Sequence, residues 1–341
     1  MQIMSRDIGI DMGTANTRVC VKSKGLISSE PSVVAVEVKS DTVRAVGEEA
    51  REMIGRTPGS IVAVKPLKNG VIADFDVTVA MLKKLMKSGM RGSFASRARV
   101  LISVPAGVTE VESRAVFDAA KQAGARVVDL IESPMAAAIG ADLPVWDSVG
   151  SMVVDIGGGT TEVAVISLGD IVTFHAVRTA GDSFDEAITS YIRKKHNLLI
   201  GEITAETIKK TIGSAYEYEN DDNDTLEIRG RSMVDGLPKN VTITASEVRE
   251  ALSEPISDII EAIRSTLEKT PPELAADIID RGILLTGGSA LLKGLDKIIA
   301  DRVSVPVIVA QDPENCVSLG LEKRLELELP FDTYQNRPKY Y

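Results

Sequence analysis

Cysteine and histidine are nearly missing from this 341-residue chain, which has two of each. Cys20 and Cys316 sit in apolar surroundings without ligand spacing, so neither a disulfide framework nor a zinc site is expected. His175 and His196 leave little room for histidine-based catalysis. Aromatic residues reach only 4%, too few for a base-stacking platform. Positive charge is short as well, with 39 Lys+Arg against 49 Asp+Glu and a net charge of −10. With no basic block, no nucleic acid partner is expected. No apolar run approaches the roughly 18–20 residues that span a bilayer. The N-terminus lacks the layout of a signal peptide, so a cytoplasmic location is expected. Two phosphate-binding signatures are missing, G-x-x-x-x-G-K-[ST] and a G-x-G-x-x-G following a strand.

What is present is a large apolar complement, 44% hydrophobic against 26% charged residues. That is enough for two domains, or two halves sharing a cleft. Residues 8–21 read as a hairpin, with Val19 and Val21 alternating against Arg18 and Cys20. Segment 32–46 is strand-rich, and a short helix is expected near 48–54. An amphipathic helix covers 78–87, and a strand covers 99–104. Thr109 with Glu112 forms a capping box for a helix that stops at Gly124. A strand over 127–131 precedes a small-residue helix opened by Ser133-Pro134. Residues 143–150 look like a connector.

After the connector the pattern repeats. Residues 11–21 and 155–165 both read D-x-G-x-x-x-T-x-V-x-V, offset by 144 residues from Asp11 to Asp155, which points to a duplicated unit. Helices are expected over 182–193 and 205–212, and strands over 226–228 and 241–243. The acidic run 217–224 reads as a solvated loop without EF-hand spacing. Thr244 and Glu247 cap a helix reaching about 267. A strand over 282–286 leads into a Gly287-Gly288 turn, with Ser289 opening another helix. The alternation of strands and helices predicts an α/β fold.

The two hairpins explain each other chemically. A turn rich in glycine exposes backbone N–H groups that can wrap phosphate oxygens. An aspartate ends each first strand, and two facing carboxylates suit a hydrated Mg²⁺. Segment 286–289 (TGGS) suits a phosphate or ribose contact where a strand turns into a helix. Together the three describe a nucleotide held between two similar domains.

On these residues the chain resembles the MreB family of bacterial actins, in the superfamily that joins actin, heat-shock chaperone ATPases and sugar kinases. The segments that carry it are DIGIDMGTANT at 7–17, EPSVVA at 30–35, GVIADF at 70–75, PMAAAIG at 134–140, VVDIGGGTTEV at 153–163, PPEL at 271–274 and LTGGSALL at 285–292. The match runs from about residue 5 to 325. The resemblance implies an actin-like α/β fold of two duplicated domains, with four subdomains around an ATP–Mg²⁺ cleft. Domain I would hold 5–142 plus 315–329, with a small subdomain at about 30–75. Domain II would hold 143–314, with its small subdomain at about 182–243, and 330–341 would be a polar tail. Thr14, Ala15, Asn16, Gly157, Gly158, Gly159 and Thr160 match the phosphate loops. Asp11 and Asp155 match the carboxylates that hold magnesium through water. Glu206, Lys209 and Lys210 match the adenine-side helix, although Glu206 and Lys209 alone read as an exposed ion pair. Gly287, Gly288, Ser289 and Ala290 match the adenosine loop.

The chain departs from the family twice. Ser133 stands where the family has a glutamate that positions the attacking water, and Glu132, one residue earlier, would substitute for it only if the backbone shifts. Serine lacks the carboxylate, so slow hydrolysis is expected, with Asp155 and Thr160 still in place. Leu321 stands where the family has a small residue. The resemblance further implies a homopolymer of antiparallel double filaments, with helix 111–122 at the contact between paired filaments. It implies a position at the inner face of the cytoplasmic membrane and partners among membrane-embedded shape and wall-elongation proteins. In loop 87–99, Met90 and Phe94 among four basic residues suit shallow insertion into an anionic leaflet. A metabolite kinase or a chaperone-type ATPase are the rivals on the same fold; each is expected to need a longer chain.

Overall fold

A computed structural model describes residues 7–40, 42–88, 98–218 and 223–327. In chain order the first half holds β1 (Asp7–Met12), β2 (Asn16–Val21), β3 (Gly25–Pro31), β4 (Val34–Glu37), β5 (Thr42–Val46), α1 (Glu48–Arg51), β6 (Ile61–Val64), β7 (Leu67–Lys68), β8 (Val71–Ile72), α2 (Phe75–Ser88), β9 (Arg99–Val104), α3 (Glu110–Ala123), β10 (Val127–Glu132) and α4 (Ser133–Gly140). The second holds β11 (Ser151–Ile156), β12 (Thr161–Ser167), β13 (Asp170–Val177), α5 (Gly181–His196), β14 (Leu198–Leu199), α6 (Glu202–Ile212), β15 (Thr225–Ser232), β16 (Pro238–Thr244), α7 (Ala245–Lys269), α8 (Pro272–Arg281), β17 (Ile283–Thr286), α9 (Leu295–Val303) and β18 (Val307–Val309), before α10 (Cys316–Glu326).

The repeat seen in the sequence is a repeat of topology. One five-stranded sheet has the order β3-β2-β1-β9-β10 and the other β13-β12-β11-β17-β18. Each is an antiparallel meander of three strands continued by two parallel strands. The inner strands are covered on both faces, so β1 and β12 are buried along their whole length. Between its third and fourth strands each half carries a small three-stranded sheet, β5-β4-β6 or β14-β15-β16.

Local signals set several boundaries. Thr109 Oγ1 accepts from the Glu112 N–H while Glu112 returns the bond to the Thr109 N–H, and Gly124 closes α3 at φ +116°. Thr244 and Glu247 do the same for α7. One expectation fails: Ser289 does not open an α-helix. Residues Gly288–Leu291 form a single 3₁₀ turn, and α9 starts only at Leu295. Gly287 at φ +83° and Gly294 at φ +75° bracket the segment with left-handed backbone, which interrupts a continuous helix.

A cluster of apolar side chains shared by the two halves centres on α4 and α10. These helices pack backbone to backbone. A β-carbon placed on Gly320 would lie 1.7 Å from the Ala136 carbonyl oxygen, and one on Gly140 would lie 1.8 Å from that of Cys316. Leu321 is fully buried in this cluster, over Gly9 of β1, whose missing side chain leaves the room it occupies. Burying that leucine contributes about 1.5–3 kcal/mol. Lys323 closes the joint by donating to the Gly140 carbonyl (2.9 Å) and the Asp142 carboxylate (2.7 Å).

Gly320→Ala should destabilise the chain by about 1–3 kcal/mol through overpacking, read as a lower urea midpoint. An unchanged midpoint would show that the helices can separate freely.

Candidate functional site

Each half carries an aspartate one residue before the end of its first strand, Asp11 buried on β1 and Asp155 half-buried on β11. The turns that follow meet across the junction. A β-carbon on Gly158 would lie 2.6 Å from Ala15 Cβ, and one on Gly159 would lie 2.6 Å from Thr14 Oγ1. Only glycine permits this approach. The turns are held in shape by neighbours. The Gly70 N–H donates to Thr14 Oγ1 (2.9 Å), and Ser32 Oγ donates to the Gly13 carbonyl (2.6 Å). Ser289 Oγ donates to the Gly157 carbonyl (2.7 Å), which ties the third loop to the second.

Above these turns lies a cavity of about 790 Å³. It is lined by Asp11, Thr14, Ala15, Asn16, Ser133, Asp155, Gly157, Gly158, Gly159, Thr160, Glu206, Lys209, Lys210, Gly287, Gly288 and Ser289. The fold therefore brings together candidates from both halves and all three loops. Two candidates stand apart from the lining. Ala290 is buried behind its loop, and Glu132 ends β10 in extended backbone as the N-cap of α4. Ser133 faces the cavity, but its hydroxyl donates to the Val104 carbonyl at 3.1 Å. Met90 and Phe94 lie outside the described residues.

The walls carry ion pairs that neighbouring positions alone do not give. Glu206 pairs with Lys210 one turn on (2.7 Å) and with Arg51 of the other half (2.7 Å). The simple Glu206–Lys209 pair is replaced, because Lys209 turns inward to the Asp185 carboxylate (2.9 Å) and the Gly181 carbonyl (2.8 Å). Lys65 of the first half bonds Glu202 and lies 3.9 Å from Asp182 in the second.

The floor is electrostatically loaded. Asp11 is pushed above the usual carboxylate range by burial, against the opposing pull of Arg18 at 3.7 Å and a bond from Ser103 at 3.1 Å. Asp155 is raised to about 7 by burial and then by the charge of Asp11, while Thr286 donates to it at 3.0 Å. Glu162 is raised to about 8 by burial and by Asp155. Removing carboxylates from water and setting them side by side has this effect on each. Among the described residues, two buried side-chain atoms have no hydrogen-bond partner, Arg18 Nε and Asp185 Oδ1. Both residues line the cavity.

Sequence reasoning passed over Glu162, Arg18, Asp182 and Asp185, all of which line it. One signal for Glu162 was available: it is the only charged residue in the otherwise neutral segment 156–168.

Comparison with known proteins gives this arrangement a lineage. A family model described as MreB/Mbl protein matches residues 5–329. The chain belongs to the MreB/Mbl family. It is 52% identical over 330 residues to the cell shape-determining protein MreB of Escherichia coli K12, covering 95% of this chain and 94% of that protein. It is 52% identical over 319 residues to the cell shape-determining protein Mbl of Bacillus subtilis 168, covering 93% and 95%. Among solved structures, MreB 5 of Spiroplasma citri bound to AMPPNP superposes with a TM-score of 0.89 at 39% identity, covering 96% of this chain and 99% of that one. A MamK double helical filament shares the fold at a TM-score of 0.81 and 23% identity, covering 96% and 100%. The MreB/Mbl fold is actin-like, as the resemblance implied.

Asp155 yields a test of the floor in this MreB/Mbl-family chain. Its folded pKa of about 7 lies above the ordinary 3.8, so folding favours the protonated form. The resulting penalty is nil below about pH 4, grows as pH rises and is complete above about pH 7. Asp155→Asn should therefore raise the melting temperature of the nucleotide-free protein at pH 8 by about 1–2 °C per kcal/mol of penalty removed. The gain should shrink toward pH 4. An equal gain at both pH values would place the effect outside the carboxylate's ionisation.

Proposed function

We propose that the cleft binds ATP with Mg²⁺ and that the chain is an actin-like filament protein acting in cell shape. One observation carries the reading: two glycine turns from duplicated hairpins touch over a pair of aspartates, Asp11 buried and Asp155 half-buried, at the base of a cavity large enough for a nucleotide. Thr14, Ala15, Asn16 and Gly157 to Thr160 would take the phosphates through backbone N–H groups. Gly287 to Ser289, Glu206, Lys209 and Lys210 would border the nucleoside. Asp11 and Asp155 fit a magnesium ion that keeps its waters and completes its shell with phosphate oxygens. That cation would remove the like-charge conflict between them. The partnerless Arg18 Nε and Asp185 Oδ1 fit a ligand that completes the wall. MreB 5 of Spiroplasma citri, with AMPPNP or ADP bound, supports the same reading.

The domain boundaries drawn from the resemblance join the proposal, with α4 and α10 as the joint. Self-assembly into antiparallel double filaments does too. On α3, Val116, Phe117, Ala119, Ala120 and Ala123 are buried, whereas Val111 is 79% exposed. Val111 is therefore the apolar residue of this helix available for pairing. Attachment to the inner face of the membrane through Met90 and Phe94, and contact with shape and wall-elongation proteins, complete the reading. Among the described residues no helix is long and apolar enough to cross a membrane.

Electron microscopy of the purified protein tests the polymer, with Mg-ATP, without nucleotide, and with vesicles of anionic phospholipid. Paired straight filaments only with Mg-ATP, bound to the vesicles, are expected. Filaments without nucleotide would make ATP a structural ligand, and none under any condition would overturn the polymer.

Hydrolysis is proposed to be slow. The Ser133 hydroxyl is occupied by the Val104 carbonyl and carries no carboxylate for the attacking water. Ser133→Glu should raise phosphate release by about 10²-fold, the scale of one acid–base group. No increase would remove Ser133 as the cause.

A further inference from the structure

Glu162 is the one charged residue of β12 and is 3% exposed. It stands directly across from Asp155 on the neighbouring strand. The matching slot of the first hairpin, across from Asp11, holds Arg18. There the cation lies 3.7 Å from the aspartate it faces, the arrangement a buried carboxylate needs. The second hairpin does the opposite and sets a carboxylate beside a carboxylate. A strand needing only its hairpin gains nothing from that choice.

The Glu162 side chain crosses from one half to the other. Its Oε2 accepts the Ala106 N–H at 2.7 Å, and its Oε1 accepts the Thr160 hydroxyl at 3.3 Å. Ala106 is two residues past Val104, whose carbonyl holds the Ser133 hydroxyl. The short segment 104–106 thus carries Ser133 at one end and Glu162 at the other. The Thr160 methyl group faces Gly70, where an added β-carbon would come within 3.3 Å of it. Packing on the methyl and the bond to Glu162 together fix the Thr160 rotamer. With its hydrogen given to Glu162, the Thr160 oxygen keeps its lone pairs as acceptors at the cavity wall.

We propose that Glu162 is the positioning residue for hydrolysis: through Thr160 it orients the attacking water where Ser133 offers no carboxylate. This rests on the reading of the cleft as an ATP site. The water oxygen bonds to the γ-phosphorus while the bond from that phosphorus to the bridging oxygen breaks. The bridging electron pair leaves with ADP, and the water's proton leaves with inorganic phosphate. No side chain changes its protonation state in this step, and Glu162 contributes orientation.

Three variants test it, Glu162→Gln, Thr160→Val and the double substitution. Each is measured for AMPPNP dissociation constant, melting temperature without nucleotide, and kcat of phosphate release. Glu162→Gln should lower kcat on the order of 10²-fold, the scale of lost orientation, with AMPPNP affinity within about twofold of the parent. The double substitution should be no slower than Thr160→Val alone, since both remove one relay. Should Glu162→Gln fail to fold, Thr160→Val reads the same relay from its other end, by lower kcat at retained affinity. A Glu162→Gln rate equal to the parent's overturns the proposal, as do effects that multiply in the double substitution. A parent protein that binds AMPPNP yet releases no phosphate from ATP also overturns it. A parent that binds no AMPPNP overturns the ATP reading itself.

Discussion

Asp11 and Glu162 are buried and Asp155 is half-buried beside them where the two halves meet, and loss of solvation is the largest cause of the raised pKa of each. Charges so placed are unfavourable unless hydrogen bonds and countercharges are arranged around them. The groups that do this come from different elements. Arg18 lies on β2, Ser103 on β9 and Thr286 on β17, and the Ala106 N–H follows β9. Three of them come from strands neighbouring the aspartate they serve, and only the Ala106 N–H reaches across from the other half. The large apolar clusters on either side of the site supply the stability that the floor does not.

The same carboxylates require that the two halves be set accurately against each other. The α4–α10 joint provides this by removing side chains rather than adding them. Gly140 and Gly320 let backbone touch backbone, and Leu321 fills the space left by Gly9. A joint of this kind has few alternative packings, because any shift opens a void or drives atoms into overlap. The glycine turns repeat the principle at the floor, where Gly158 and Gly159 meet Ala15 and Thr14 without intervening side chains. Further out, where accuracy matters less, the halves are bridged by long flexible pairs such as Arg51 with Glu206 and Lys65 with Glu202.

These features differ in how far the sequence reveals them, and the difference follows their range. The hairpins, the helix caps at Thr109 and Thr244, and the repeated aspartate-and-glycine pattern are local, so residue order displays them directly. The 3₁₀ turn at Gly288–Leu291 was misread as the start of a helix, because two left-handed glycines override the helical pattern of the residues between them. The direction of Lys209 was not legible either. Its partner Asp185 lies 24 positions earlier on a different helix, and nothing in the spacing of α6 prefers it to Glu206. Adjacent candidates at the start of α4 separate only in three dimensions, where Ser133 lines the cavity and Glu132 does not. The MreB/Mbl family match carries the fold over residues 5–329, but it does not say which neighbouring side chain turns inward.

Duplication explains why Glu162 escaped notice. Aligning the hairpins draws attention to positions that are identical, such as Asp11 with Asp155 and Gly13 with Gly157. The pair that differs most in charge, Arg18 and Glu162, then reads as ordinary divergence. In the structure those two residues occupy equivalent slots beside equivalent aspartates. One slot neutralises its aspartate, and the other adds a second acid and reaches across to Ala106. A repeat that had diverged only under the demand for stability would carry cations in both slots. The asymmetry fits the proposed role of Glu162: the first hairpin sets a cation beside its aspartate, and the second sets there a carboxylate that spans the two halves.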